Sequence, residues 1–84
     1  MLRGMEFDAL RAVLAANLRA RRKAIGLSQE RLALDADIDR TFVSQIERGI
    51  GNPSLRILSQ LAEQLDTEVA ALLVPAPKPK RRQS

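Results

Sequence analysis

The chain has 84 residues, 45% of them hydrophobic and only two of them aromatic, and it contains neither cysteine nor histidine. That is room for one domain with a compact core, and it excludes disulfides, zinc sites built on Cys or His, and histidine acid–base catalysis. The formal charge of +4 equals the contribution of Lys78, Lys80, Arg81 and Arg82 at the C-terminus, so the remaining Lys and Arg balance the Asp and Glu and bulk charge does not itself point to nucleic acid.

The abundance of Leu and Ala and the scarcity of aromatic residues favour short helices over a sheet. No apolar run approaches the roughly 18 residues of a membrane span. Arg3, Glu6, Asp8 and Arg11 interrupt the N-terminus where a signal peptide would be apolar. A cytoplasmic, nucleoid-associated protein without a membrane partner is expected.

In chain order, residues 1–6 are read as an N-terminal arm and 7–74 as the domain. Phe7, Leu10, Leu14 and Leu18 recur at intervals of three or four and predict a first helix over 7–24, with Ile25 extending the stripe and Gly26 ending it. Ser28 is placed to cap a second helix through the N–H near Arg31, and Leu27 with Leu32 has the spacing of a hydrophobic staple. Leu32, Ala33 and Ala36 face inward, and this helix ends near Asp37. Asp39 is the next expected cap, with Ile38 and Val43 repeating the staple. Phe42, Val43 and Ile46 form the inner face of a third helix that stops at Gly49.

A linker from Ile50 to Pro53 leads to Ser54, the cap of a fourth helix with Leu55, Leu58, Leu61, Ala62 and Leu65 on one face. Thr67 is expected to cap a short fifth helix through Leu73. Residues 75–84, PAPKPKRRQS, combine three prolines with four basic residues and predict a flexible tail.

Two capped helices joined by only Asp37 to Asp39 have the layout of a helix-turn-helix, in which the second helix projects outward what the core does not use. Here that outer face carries Arg40, Thr41, Ser44, Gln45 and Arg48, all hydrogen-bond donors and none of them acidic. Arg40 has the reach for guanine O6 and N7, Thr41 for a thymine methyl or a phosphate, and Gln45 for adenine N6 and N7. Gln45 is equally suited to bracing Gln29. Ser28 and Gln29 open the second helix, where free N–H groups and the helix dipole favour a phosphate. Arg48 and Asn52 follow the third helix and are also placed for phosphate. Arg19, Arg21 and Lys23 read as a solvated basic face.

With these segments in view, RARRKAIGLSQERLA, IDRTFVSQIERG and NPSLRILSQLAEQL, the sequence resembles the Cro/repressor-type (XRE-like) helix-turn-helix regulators from about residue 10 to 74. The string DRTFVSQIERG is most similar to single-domain restriction–modification controller proteins. The resemblance implies an all-α, five-helix, lambda-repressor-like fold and a homodimer on a palindromic operator in double-stranded DNA. It also implies a partly buried ion pair between Arg22 and Glu47, with Arg22 a further candidate for phosphate, and a core or dimer role for Leu65, Val69, Leu72 and Leu73. Where the family often carries a base before the Asn, this chain has Gly51, and Asp37 stands where the motif has its turn glycine. Leu34 occupies a position that is more often polar.

The competing reading is a protein-interaction or antitoxin-type module on the same fold. Nothing in the residues assembles a nucleophile–base pair or a metal set, so neither an enzyme, nor a cofactor, nor a small-molecule ligand is expected.

Overall fold

A computed structural model of the protein describes residues 6–76. The expected tail beyond Ala76 and the arm before Glu6 lie outside the described residues. Five helices follow in order: α1 (Phe7–Ala24), α2 (Gln29–Ala36), α3 (Arg40–Glu47), α4 (Leu55–Gln64) and α5 (Val69–Leu72). No strand occurs among the described residues.

The helix starts are those that the caps dictate. Ser28 Oγ accepts from the Arg31 N–H at 2.9 Å, Asp39 Oδ1 from the Thr41 N–H at 2.9 Å, and Ser54 Oγ from the Ile57 N–H at 3.2 Å. Each satisfies a backbone donor that the first turn of a helix leaves without a partner.

The helix ends share one device. Gly26, Asp37, Gly49 and Asp66 all take up positive φ, and each is flanked by the paired backbone bonds of a Schellman turn. At Gly26 these are Leu27 N–H to Arg22 O and Gly26 N–H to Lys23 O; at Asp37 they are Ile38 N–H to Ala33 O and Asp37 N–H to Leu34 O. Glycine takes this conformation freely, and aspartate tolerates it better than most residues. That is why two aspartates can stand where glycine is the usual choice.

Leu18, Leu32, Val43, Ile46, Leu61, Leu65 and Leu72 are essentially fully buried and draw residues from all five helices. α3 packs on α1 and α2, α4 packs on α2, and α5 closes the far end against α1 and α4. Leu65 and Leu72 are therefore core residues, out of reach of a dimer partner. Val69 and Leu73 are partly buried against the same core.

Three parts of the apolar pattern end up elsewhere. Phe7 is 53% exposed, with the Arg11 guanidinium 4.6 Å from its ring centroid, and Ile25 is 43% exposed past the end of α1. Leu55, the first residue of α4, is 74% exposed. All three stand at helix ends, where the apolar stripe runs past the elements packed against it. Thr67 is not the cap of α5. Its N–H closes the turn after α4 on Ala62 O, and α5 starts after Glu68 without a side-chain cap.

Polar side chains on α1 and α4 finish the helix C-termini. Asn17 Nδ2 donates to Leu72 O (2.9 Å) and Val74 O (2.7 Å) at the end of α5. Arg21 donates to Leu65 O (2.8 Å) and Asp66 O (2.9 Å) at the end of α4, so it is a brace and not part of a solvated basic face. Gln60 Nε2 donates to Ala36 O (2.7 Å) at the end of α2. These terminal carbonyls have no intrahelical partner, and donors brought from another helix tie the elements together as they satisfy them.

Candidate nucleic-acid interface

The geometry of α3 follows from its sequence. Val43 and Ile46 are buried and Phe42 packs on the core. With 3.6 residues per turn, the opposite side of the helix is left to Arg40, Thr41, Ser44, Gln45 and Arg48. Arg40, Thr41 and Arg48 are exposed, and Ser44 and Gln45 are half-buried at the edge of the packed face. Among the described residues, no side-chain hydrogen bond or ion pair holds any of these five side chains, or that of Asn52. Their donors are free for a ligand. Asp39, the one acid beside them, has its carboxylate turned onto the Thr41 N–H, as a cap.

The position of α3 is fixed by a buried charged cluster at its last residue. Glu47 Oε2 accepts from Arg22 Nε at 2.6 Å, and Glu47 Oε1 accepts from Arg22 Nη2 and from Gln29 Nε2, both at 3.0 Å. Arg22 Nη1 donates to Leu27 O at 2.7 Å. One carboxylate thus joins α1, the first residue of α2 and the last of α3, while the arginine also holds the turn between α1 and α2. Arg22 and Glu47 are both buried. The Arg22 guanidinium, expected as a further phosphate contact, is committed to Glu47 and Leu27 O. The Gln29 side chain is likewise turned onto Glu47 and makes no bond to Gln45. The Gln29–Glu47 bond joins residues 18 apart in sequence, beyond the reach of a local pattern.

Burial opposes the charged form of Glu47, but the hydrogen bonds from Arg22 and Gln29, with the charges of Arg22 and Arg19, outweigh it and hold the carboxyl below the ordinary glutamate range. The unfolded chain therefore takes up this proton first, near the usual value of about 4.3. The stabilisation from the pair is complete above that value and is lost as pH falls through the lower folded value. Thermal melts from pH 7 down to pH 3 should show a steep acid limb, and Glu47→Gln should flatten it. An acid limb that is unchanged in this variant would contradict the assignment.

The loop after α3 is drawn onto the helix end. Gln45 O accepts backbone N–H groups from Arg48, Ile50 and Gly51 at 3.1–3.2 Å. Gly51 is buried, and a Cβ there would lie 2.8 Å from Ile46 Cγ1 and 2.9 Å from Ile46 N. The absence of a side chain at Gly51 thus lets the loop seat directly on α3. Leu34 is 69% exposed on α2.

Two short capped helices joined by a tight left-handed turn, with a donor-bearing outer face on the second, define a helix-turn-helix DNA-binding domain. The helix-turn-helix family HTH_3 matches residues 18–72, and the chain belongs to that family. Its relatives are transcription factors and controller proteins. It is 44% identical over 66 residues to a hypothetical transcription factor of Neisseria meningitidis, covering 79% of this chain but 62% of that protein, so it spans under two thirds of that relative's length. It is 39% identical over 67 residues to the control protein C.SmaI of Serratia marcescens, covering 80% of each chain. Among solved structures it is similar to the restriction-modification controller protein C.AhdI of Aeromonas hydrophila. That match has a TM-score of 0.73 and 42% identity over 76% of this chain and 97% of the other. No helix among the described residues is long and apolar enough to cross a membrane.

Proposed function

We propose that this protein is a sequence-specific transcription regulator that binds a palindromic operator as a homodimer, with α3 of each copy in the major groove. A role as a restriction–modification controller is the most specific form of this reading, supported by the controller proteins among its relatives, C.SmaI and C.AhdI among them. Such a protein works where the DNA is, in the cytoplasm in association with the nucleoid.

The observation that carries the proposal is the contrast between the two faces of α3. One is buried in the core, and the other presents Arg40, Thr41, Ser44 and Gln45 with their donors uncommitted. In this reading those four side chains contact base edges. Phosphates are held by Arg48, Asn52 and the start of α2, where the first backbone N–H groups of a helix lack an intrahelical partner. Arg22, Glu47 and the Gln29 side chain set the angle at which α3 is offered.

Phosphate contacts make binding depend on salt, because each neutralised phosphate releases condensed counterions. Fluorescence anisotropy with a labelled duplex should show log affinity falling linearly with log salt concentration. Affinity that barely responds to salt would overturn phosphate-dominated docking.

A further inference from the structure

Two basic features take no part in the contacts of α2 and α3: Arg19 and Lys23 on α1, and Lys78, Lys80, Arg81 and Arg82 at the C-terminus. An open groove of about 660 Å³ runs between α1 and the end of α3. Ala12, Ala16 and Ala20 keep its floor low, and Arg19, Lys23 and Arg48 line it with charge. All three bases are exposed, and among the described residues no ion pair or side-chain hydrogen bond holds any of them. Glu47 also borders the groove, but both of its oxygens are taken by Arg22 and Gln29. The groove thus gathers three uncommitted cations from two helices, and no free acid. Like charges along one groove repel, and an anion laid along it relieves that cost.

The described chain ends beside the same groove. Ala12 and Ala16 also border a shallow hollow lined by Pro75 and Ala76. Asn17 fixes this exit, its Nδ2 donating to Val74 O at 2.7 Å. Beyond Ala76 the sequence runs PKPKRRQS, with four bases and no acid. Eight residues span at most about 26 Å, whereas α1 rises only about 17 Å from Ala12 to Lys23. A chain leaving at Ala12 and Ala16 therefore has the length to pass the whole groove. It carries the same sign of charge as the groove, so the two meet only across a polyanion.

We propose that the phosphodiester backbone flanking each half-site lies along this groove on Arg19, Lys23 and Arg48, and that Lys78, Lys80, Arg81 and Arg82 close on it. The assignment rests on the DNA-binding reading above and extends the contact beyond the bases that α3 reaches. Arg48 belongs to both, because it directly follows α3 and lines the groove. The four C-terminal bases equal the whole formal charge of +4, so the net attraction to DNA resides in this segment. Contacts with flanking phosphates add affinity and salt dependence, and no sequence preference.

Anisotropy titrations with two duplexes test this. One is the sequence selected from a random pool, cut to its half-sites. The other carries about one further helical turn, roughly ten base pairs, of unrelated sequence at each end. The wild-type chain should bind the longer duplex on the order of tenfold tighter at low salt, with a salt slope steeper by about 0.9 for each added phosphate contact. A full-length variant with Lys78, Lys80, Arg81 and Arg82 all changed to glutamine should lose most of that gain. Arg19→Gln/Lys23→Gln should lose it too. Both variants should melt as the wild type does and keep its preference for the selected over an unrelated short duplex. Equal wild-type affinity for the two lengths overturns the flanking contact, and so does a gain that survives in either variant. A wild-type chain that binds neither duplex overturns the DNA reading itself.

Discussion

Glu47→Ala is expected to lower the melting temperature by more than about 10 °C. Removing one partner of a buried ion pair leaves the other charge buried without compensation, which typically costs about 3–5 kcal/mol. In a domain of this size each kcal/mol moves the midpoint by about 4–8 °C. Here the loss falls on three elements at once, because the same carboxylate receives Arg22 from α1 and Gln29 from α2. DNA affinity should fall with stability, since the C-terminal end of α3 loses its anchor. Circular dichroism melts of the variant check the first effect. An unchanged melting temperature would contradict the role given to the pair. The double variant Arg22→Met/Glu47→Leu sharpens the point. Removing both charges together and filling the space with apolar atoms should recover much of the loss. A double variant as unstable as Glu47→Ala would show that shape, not charge, was lost.

Arg40→Ala should leave the melting temperature within a degree or two of the wild type, because Arg40 is exposed and holds no partner within the chain. Its effect belongs on DNA. Loss of a side chain that pairs with a base edge costs about 1–3 kcal/mol of discrimination, roughly 5- to 150-fold in affinity for the preferred site. Affinity for unrelated DNA, which rests on phosphates, should fall far less. The signature is a narrowed gap between preferred and unrelated duplexes. Equal losses on both would reassign Arg40 from base reading to general attraction.

Much of this domain was legible in the residues because its boundaries are written locally. Ser28, Asp39 and Ser54 cap within three residues of their own positions, and Gly26, Asp37 and Gly49 stop their helices through backbone bonds that span five residues. Patterns of that range can be read from a short window. The outer face of α3 was legible for a related reason: Val43 and Ile46 must point inward, and helical geometry then leaves one side for Arg40 to Arg48.

What was hidden depends on distant elements. Arg21 looks like one of several solvated cations on α1 until α4 brings Leu65 O and Asp66 O to it. Asn17 and Gln60 gain their roles in the same way, from carbonyls 24 to 57 residues away. Gln29 has the right position for a phosphate contact, yet its amide is drawn to Glu47 by a charge that only the folded chain brings near. Phe7 and Leu55 fit the apolar stripes of their helices, but among the described residues no neighbouring element covers them. Periodicity records which face a residue is on, and not whether something is packed against that face.

A regulator of this kind must read a symmetric sequence through α3. Selection of bound duplexes from a random pool by the purified chain tests this most directly. The enriched sequences should form an inverted repeat whose half-sites lie about one helical turn apart, 10–10.5 base pairs centre to centre, or a multiple of it. A pool that remains random after selection, or one that converges on a site without symmetry, would contradict a dimer reading DNA through two copies of α3.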